Sequence, residues 1–298
     1  MRSGATAPVH AISLLEGLFG ILKRKKIFTR VTVLHYIRLC YRSALLVGFL
    51  LLYVLNRIWG DPPLLSAVES YPLLIGLIWI VFMYEMICRF FPSSRESPGC
   101  QKQFRQNYVP TGATEPILHD NNGTVLVALI WVVMNGILGA LHMSGALDDE
   151  IMMLIALVYS VCDMICILFF CPFQTWILKN KCCSGCRIYN WDYAMMFTPL
   201  FFVRKVYTYS LLLMSVALLL RWEITVYLYP ERFSEKTNAY LKCANCTEKL
   251  CGHKTQLQKF WKTRKLQERI IAARILLKSR EELLEGRLEE KRKKNTKK

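Results

Sequence analysis

Apolar residues in this chain gather into long blocks separated by short polar connections. They do not recur at surface-helix spacing or alternate as in a half-buried strand. Four blocks, Ala44 to Trp59, Leu73 to Phe91, Val125 to His142 and Ile151 to Cys171, approach or reach the length that crosses a hydrocarbon core of about 30 Å at about 1.5 Å per residue. A fifth, Val206 to Tyr229, holds the run LLLMSVALLL ahead of Arg221-Trp222-Glu223. Before it, Ile188 to Val203 is apolar but interrupted by Asp192 and Pro199. That interruption predicts a broken or re-entrant helix, which a membrane tolerates where protein or water satisfies the backbone.

Composition sharpens this picture. Of 298 residues, 53% are hydrophobic, yet the formal net charge is +17. Long apolar blocks with positive charge outside them reconcile the two values. They exclude a disordered chain, a disulfide mini-protein and most soluble one-domain enzymes, leaving an all-α integral membrane protein. Lys and Arg concentrate on cytoplasmic flanks. Eight basic residues, Lys23-Arg24-Lys25-Lys26 among them, precede the first block against the single acid Glu16, so the N-terminus is expected inside. The turn Gly145 to Glu150 has no basic residue and is expected outside. The stretch Ala11 to Leu22 precedes its charges instead of following them, so it reads as an interfacial helix and not as a cleavable signal.

The first two pairs of blocks can be laid over one another. Asn56 and Gly60 match Asn135 and Gly139 at an offset of 79, and Glu85 and Cys88 match Asp163 and Cys166 at an offset of 78. An internal duplication of a helical hairpin accounts for this. Trp222-Glu223 stands before Pro230 as Tyr84-Glu85 stands before Pro92, which extends the pattern to a third, fainter copy. The expected architecture is six membrane segments in three hairpins, with a cytosolic Cys-rich site and a basic helical tail. Five segments is the alternative.

The resulting organisation is a basic segment (1–43), hairpin 1 (44–92), a cytosolic connector (93–123), hairpin 2 (124–172) and a Cys-rich loop (173–187). A third hairpin (188–230), a Cys-rich knuckle (231–253) and the tail (254–298) complete it.

Ionisable residues inside a bilayer are costly and tend to face a partner or a water-filled path. Glu85, Asp163 and Glu223, with Asn56 and Asn135, are therefore candidate pathway residues for an ion or small cationic solute, as repeats are common in transporters. The structural alternatives are acids near the interface, Glu85 paired with Arg89 at i+4, and Asn56 and Asn135 hydrogen-bonding across helices. Cys88, Cys162 and Cys166 read as small packing residues.

The strongest spacing signal is Cys183-x2-Cys186 with Cys243-x2-Cys246, flanked by Cys182, Cys251 and His253. Two such turns place four thiolates around one zinc ion, and an iron–sulfur cluster accepts the same set. The knuckles meet only if the intervening chain returns to the same side, which favours six segments over five.

From Lys254 to Lys298 there are 16 Lys and Arg against six Glu, with an apolar stripe at Leu266, Ile270, Ala273, Leu277 and Leu284. A basic amphipathic helix of this kind packs on the protein itself, pairs with a second copy, or lies on anionic lipid headgroups. Nucleic acid is a poor fit, as no recognition motif accompanies the charge.

No phosphate-binding glycine loop, Gly-x-Ser-x-Gly elbow or His-Glu-x-x-His pair is present, so no catalytic residue is assigned. The expected function is transport or permeation of an ion or small cationic solute. The alternatives are a membrane-bound redox protein using the Cys cluster and a scaffold recruiting a partner through the tail.

Overall fold

The computed structural model describes residues 29–59, 72–92, 101–117, 121–179 and 186–245, apart from the side chains of Asn121 and Cys243. Regular structure among these residues is helical, with one isolated β-bridge between Pro110 and Asn238. The α-helices are α1 (Arg30–Trp59), α2 (Pro72–Cys88), α3 (Asn121–Met143), α4 (Asp149–Leu168), α5 (Asp192–Phe197) and α6 (Val206–Leu228). Four of them, α1, α3, α4 and α6, are long and apolar enough to cross a membrane, and α2 is a shorter apolar helix. Their outward faces carry residues such as Leu51, Val132 and Leu213, which fit a lipid environment far better than water.

Local chemistry marks the boundaries. Pro72 begins α2, where a missing N–H costs nothing. Gly145 follows α3 at φ 78°, the left-handed conformation that ends a helix most cheaply in glycine, and its N–H bonds the His142 carbonyl. Asp149 and Glu150 occupy the first turn of α4, opposite the positive end of its dipole. Pro172 and Pro230 follow the ends of α4 and α6.

Helix α1 begins well before its apolar block. Its early buried residues Val31, Thr32, His35, Arg38 and Arg42 form one stripe. A helix whose inner face is polar and whose outer face is apolar suits a membrane protein with a charged interior. Residues 30–43, expected in a basic cytosolic segment, are thus the first turns of the first long helix.

The most extensive helix pair is α1 with α4. They are antiparallel: Arg42 reaches Asp163 near the end of α4, and Arg57 reaches Asp148 just ahead of its start. Helices α2 and α6 run parallel, with Trp79 Nε1 donating to Ser210 Oγ at 2.7 Å and Arg221 donating to the Phe90 carbonyl. Packing therefore crosses between the sequence-adjacent pairs α1–α2 and α3–α4.

The chain from Arg187 to Phe202 is helical throughout, as a 3-10 turn (Arg187–Trp191), α5 and a second 3-10 turn (Thr198–Phe202). It runs antiparallel to α6, since Arg187 bonds Glu223 and the Val203 carbonyl accepts from Thr208. It also climbs beside α3, where Trp131 Nε1 donates to Thr198 Oγ1 at 3.2 Å and Gly139 faces Phe202. A Cβ on Gly139 would land inside the Phe202 ring, so the helix comes this close only because the residue is glycine.

Residues 101–117 and 230–245 pack together at the end where α2 and α6 finish. Asn238 is fully buried there, donating to the Lys102 and Arg232 carbonyls. Phe104 packs edge-on to Trp222 and ties this layer to the core.

Candidate functional site

A hub of buried charge lies between α1, α2, α4 and α5. Arg42 is fully buried, and its guanidinium donates to Glu85 Oε2 at 2.9 Å, Asp163 Oδ2 at 3.2 Å and the Ser160 carbonyl at 3.1 Å. Arg38 Nε donates to Glu85 Oε1 at 2.7 Å, and the Tyr193 hydroxyl donates to Glu85 Oε2 at 3.0 Å. Arg89 makes a two-pronged contact with Asp192, at 2.9 Å and 2.6 Å, and stands 4.7 Å from the Tyr193 ring centre. Three arginines thus face three carboxylates, and the charges balance. Planar guanidinium suits this role, because its fork geometry satisfies two carboxylates at once.

Burial makes each of these pairs dependent on the others. Removing charged groups from water costs several kcal/mol per ion, and close partners with further hydrogen bonds offset it. Glu85 has both oxygens engaged by two arginines and a tyrosine hydroxyl. Asp163 has the Arg42 contact and also lines a cavity of about 130 Å³. Asp192 lines the same cavity. The rest of the wall comes from α3, α4, the π-helical turn Phe173–Ile177 and the stretch from Cys186 to Met196, and it is almost wholly apolar and sulfur-bearing.

The structure brings together some residues expected from the sequence and separates others. Glu85 and Asp163, matched by the proposed duplication, meet on one guanidinium. The partner found for Arg89 is Asp192, while Glu85 takes Arg38 and Arg42. Glu223 stands apart from the hub, bonded by Arg187 at 2.5 Å and by Trp191 Nε1 at 2.6 Å. Asn135 is buried and donates to the Trp131 carbonyl of its own helix at 2.9 Å, while Asn56 lies toward the opposite end of α1 from the hub.

Cys186 is buried in an apolar cluster with Val127, Met164, Ile167 and Ile188, and it faces the cavity. Cys182, Cys183, Cys246, Cys251 and His253, and the side chain of Cys243, lie outside the described residues, as does the basic tail. Among the described residues, no three His, Cys, Asp or Glu side chains stand as a group able to hold a metal ion.

Arg38, Arg42, Asp192 and Tyr193 belong to the site and were not singled out from the sequence as site residues. A signal was present in α1: His35, Arg38 and Arg42 recur at intervals of three and four, the spacing of one helical face. No family model, curated protein or solved structure matches the chain.

Proposed function

We propose that this chain is a multi-pass membrane protein that moves an ion or small cationic solute, with Asp163 as the acid that exchanges partners during transport and Glu85 as the acid that keeps Arg42. One observation carries the reading: Asp163 is ion-paired to buried Arg42 and at the same time forms part of a cavity wall. A permanently open cation channel fits poorly, because its acids are already neutralised. A cation entering the cavity gains the Asp163 carboxylate only by displacing Arg42, and Arg42 retains Glu85 when it does so. This partner exchange links solute binding to a rearrangement of α1 against α4, the kind of two-state element that coupled transport requires.

Six segments are part of the proposal. At about 2.0 Å per residue in 3-10 turns and about 1.5 Å in α-turns, residues 187–202 extend about 29 Å, close to a hydrocarbon thickness. Winding part of the segment as 3-10 helix lets a stretch too short for an α-helical span do that work. The convergence of Glu85 and Asp163 on Arg42 supports the duplication, with Glu223–Arg187 as a displaced third acid–arginine pair. A zinc site at the cytosolic knuckles would draw on Cys183, Cys243 and Cys246, with Cys251 or His253 in place of Cys186.

The test is cation flux into liposomes holding the purified protein. Asp163→Asn leaves Arg42 bonded to Glu85 but removes a charged partner worth about 1.5–3 kcal/mol. Flux of the transported cation should fall by roughly tenfold or more. Wild-type flux of every cation tested in this variant, eluting as the parent does, would sink the proposal.

A further inference from the structure

The cavity beside Asp163 is unusual in its sulfur. Cys162, Cys166, Cys171, Cys186, Met195 and Met196 all line it. They come from three separate stretches of chain: α4, the Pro172 corner, and the segment from 186 to 196. None of the four cysteines is in a disulfide. Cys166 and Cys171 both line this cavity, five residues apart where α4 gives way to the Pro172 corner. The Gln174 backbone N–H bonds the Cys171 sulfur at 3.4 Å and holds it in place.

Each alternative reading of these residues explains less. Packing alone accounts for one or two buried thiols, since cysteine behaves as a small apolar residue. It gives no reason for six sulfur-bearing side chains to converge on one cavity next to two carboxylates. Zinc or iron–sulfur ligation asks for three or four thiolates around one centre, and no such group exists among the described residues. Monovalent copper asks for less. It is satisfied by two sulfurs in near-linear coordination and accepts thioethers as well as thiolates, whereas hard cations prefer oxygen.

We propose that this cavity binds monovalent copper through Cys166 and Cys171, with Cys162, Cys186, Met195 and Met196 as the soft wall through which the ion enters and leaves. The inference rests on the transport reading and names its substrate class, a soft monovalent cation. Charge is compatible with this choice: one thiol loses its proton to solvent when Cu(I) binds, so a thiolate–Cu(I) unit is neutral and adds no net charge to the apolar wall.

The experiment uses full-length protein in detergent, under anaerobic reducing conditions, titrated with Cu(I) against a chromophoric Cu(I) chelator. Cysteines outside the cavity would bind copper too, so the parent is a variant carrying Ser at 182, 183, 243, 246 and 251. This parent should hold about one Cu(I) per chain, and adding Cys166→Ser and Cys171→Ser should weaken binding about a hundredfold. Unchanged binding in that double variant, or no Cu(I) held by the parent, would overturn the inference.

If the double variant fails to fold, alkylation of the wild-type protein serves instead. Cu(I) should protect Cys166 and Cys171 while leaving exposed Cys40 reactive. Equal modification with and without Cu(I) would contradict the proposal. Copper bound at this pair but not carried across liposomes would leave this site standing and remove the transport reading. Absence of copper binding, with Asp163→Asn still slowing another cation, would do the reverse.

Discussion

At the scale of single residues, Arg42 carries the most weight. It joins α1 to both α2 and α4 through two acids and a backbone carbonyl. Arg42→Met leaves Asp163 without its arginine and Glu85 with Arg38 and Tyr193 only, and should lower stability in detergent by about 3–5 kcal/mol, read from an unfolding curve. Combining it with Asp163→Asn removes the uncompensated charge, leaving Arg38 with Glu85 and Arg89 with Asp192, and should recover more than half of that loss. A double variant no more stable than Arg42→Met would show that the ion pairs do not hold these helices together. Asn238 is the comparable residue in the layer formed by 101–117 and 230–245. Asn238→Ala abandons its bonds to the Lys102 and Arg232 carbonyls and should cost about 1–3 kcal/mol in the same assay.

Glu85 and Asp163 were legible in the sequence because a carboxylate in an apolar block stands out. Their partners were not. Arg38 and Arg42 precede the first apolar block and look like flanking charge, and only the helical continuation of α1 buries them. Asp192 reads as an interruption of a short span until Arg89 is found against it. Polarity along the chain shows which residues are costly to bury. It does not show which distant residue offsets the cost.

At the scale of elements, the long helices follow directly from apolar block length. The blocks at Val125 to His142, Ile151 to Cys171 and Val206 to Tyr229 correspond to helices Asn121–Met143, Asp149–Leu168 and Val206–Leu228. The segment from 187 to 202 was harder to read, since Pro199 and Asp192 break the apolar run and 3-10 winding has no clear sequence signature. Its position depends on close approach to α3 at Gly139. Gly139→Ala forces a methyl group into the space held by the Phe202 ring and should destabilise the fold by about 1–3 kcal/mol. Pairing it with Phe202→Leu should recover part of that loss. Equal stability of Gly139→Ala and wild type would mean that this contact does not set the segment's place.

At the scale of the whole molecule, packing interleaves the proposed repeats. The α1–α4 and α2–α6 contacts cross between hairpins, so neither hairpin is a separate unit, and the hub sits where they meet. The cavity beside the hub is lined both by Asp163 and Asp192 and by cysteine and methionine sulfur. The central claim is that six segments hold this hub within the bilayer, with the Arg204-Lys205 turn and the 230–245 layer on opposite faces. Labelling by a membrane-impermeant maleimide of Lys205→Cys and Lys236→Cys, each in a background lacking other reactive cysteines, tests it directly. The account predicts that position 205 is labelled from outside in intact cells and position 236 only after the membrane is opened. Labelling of both positions from the same face would contradict it.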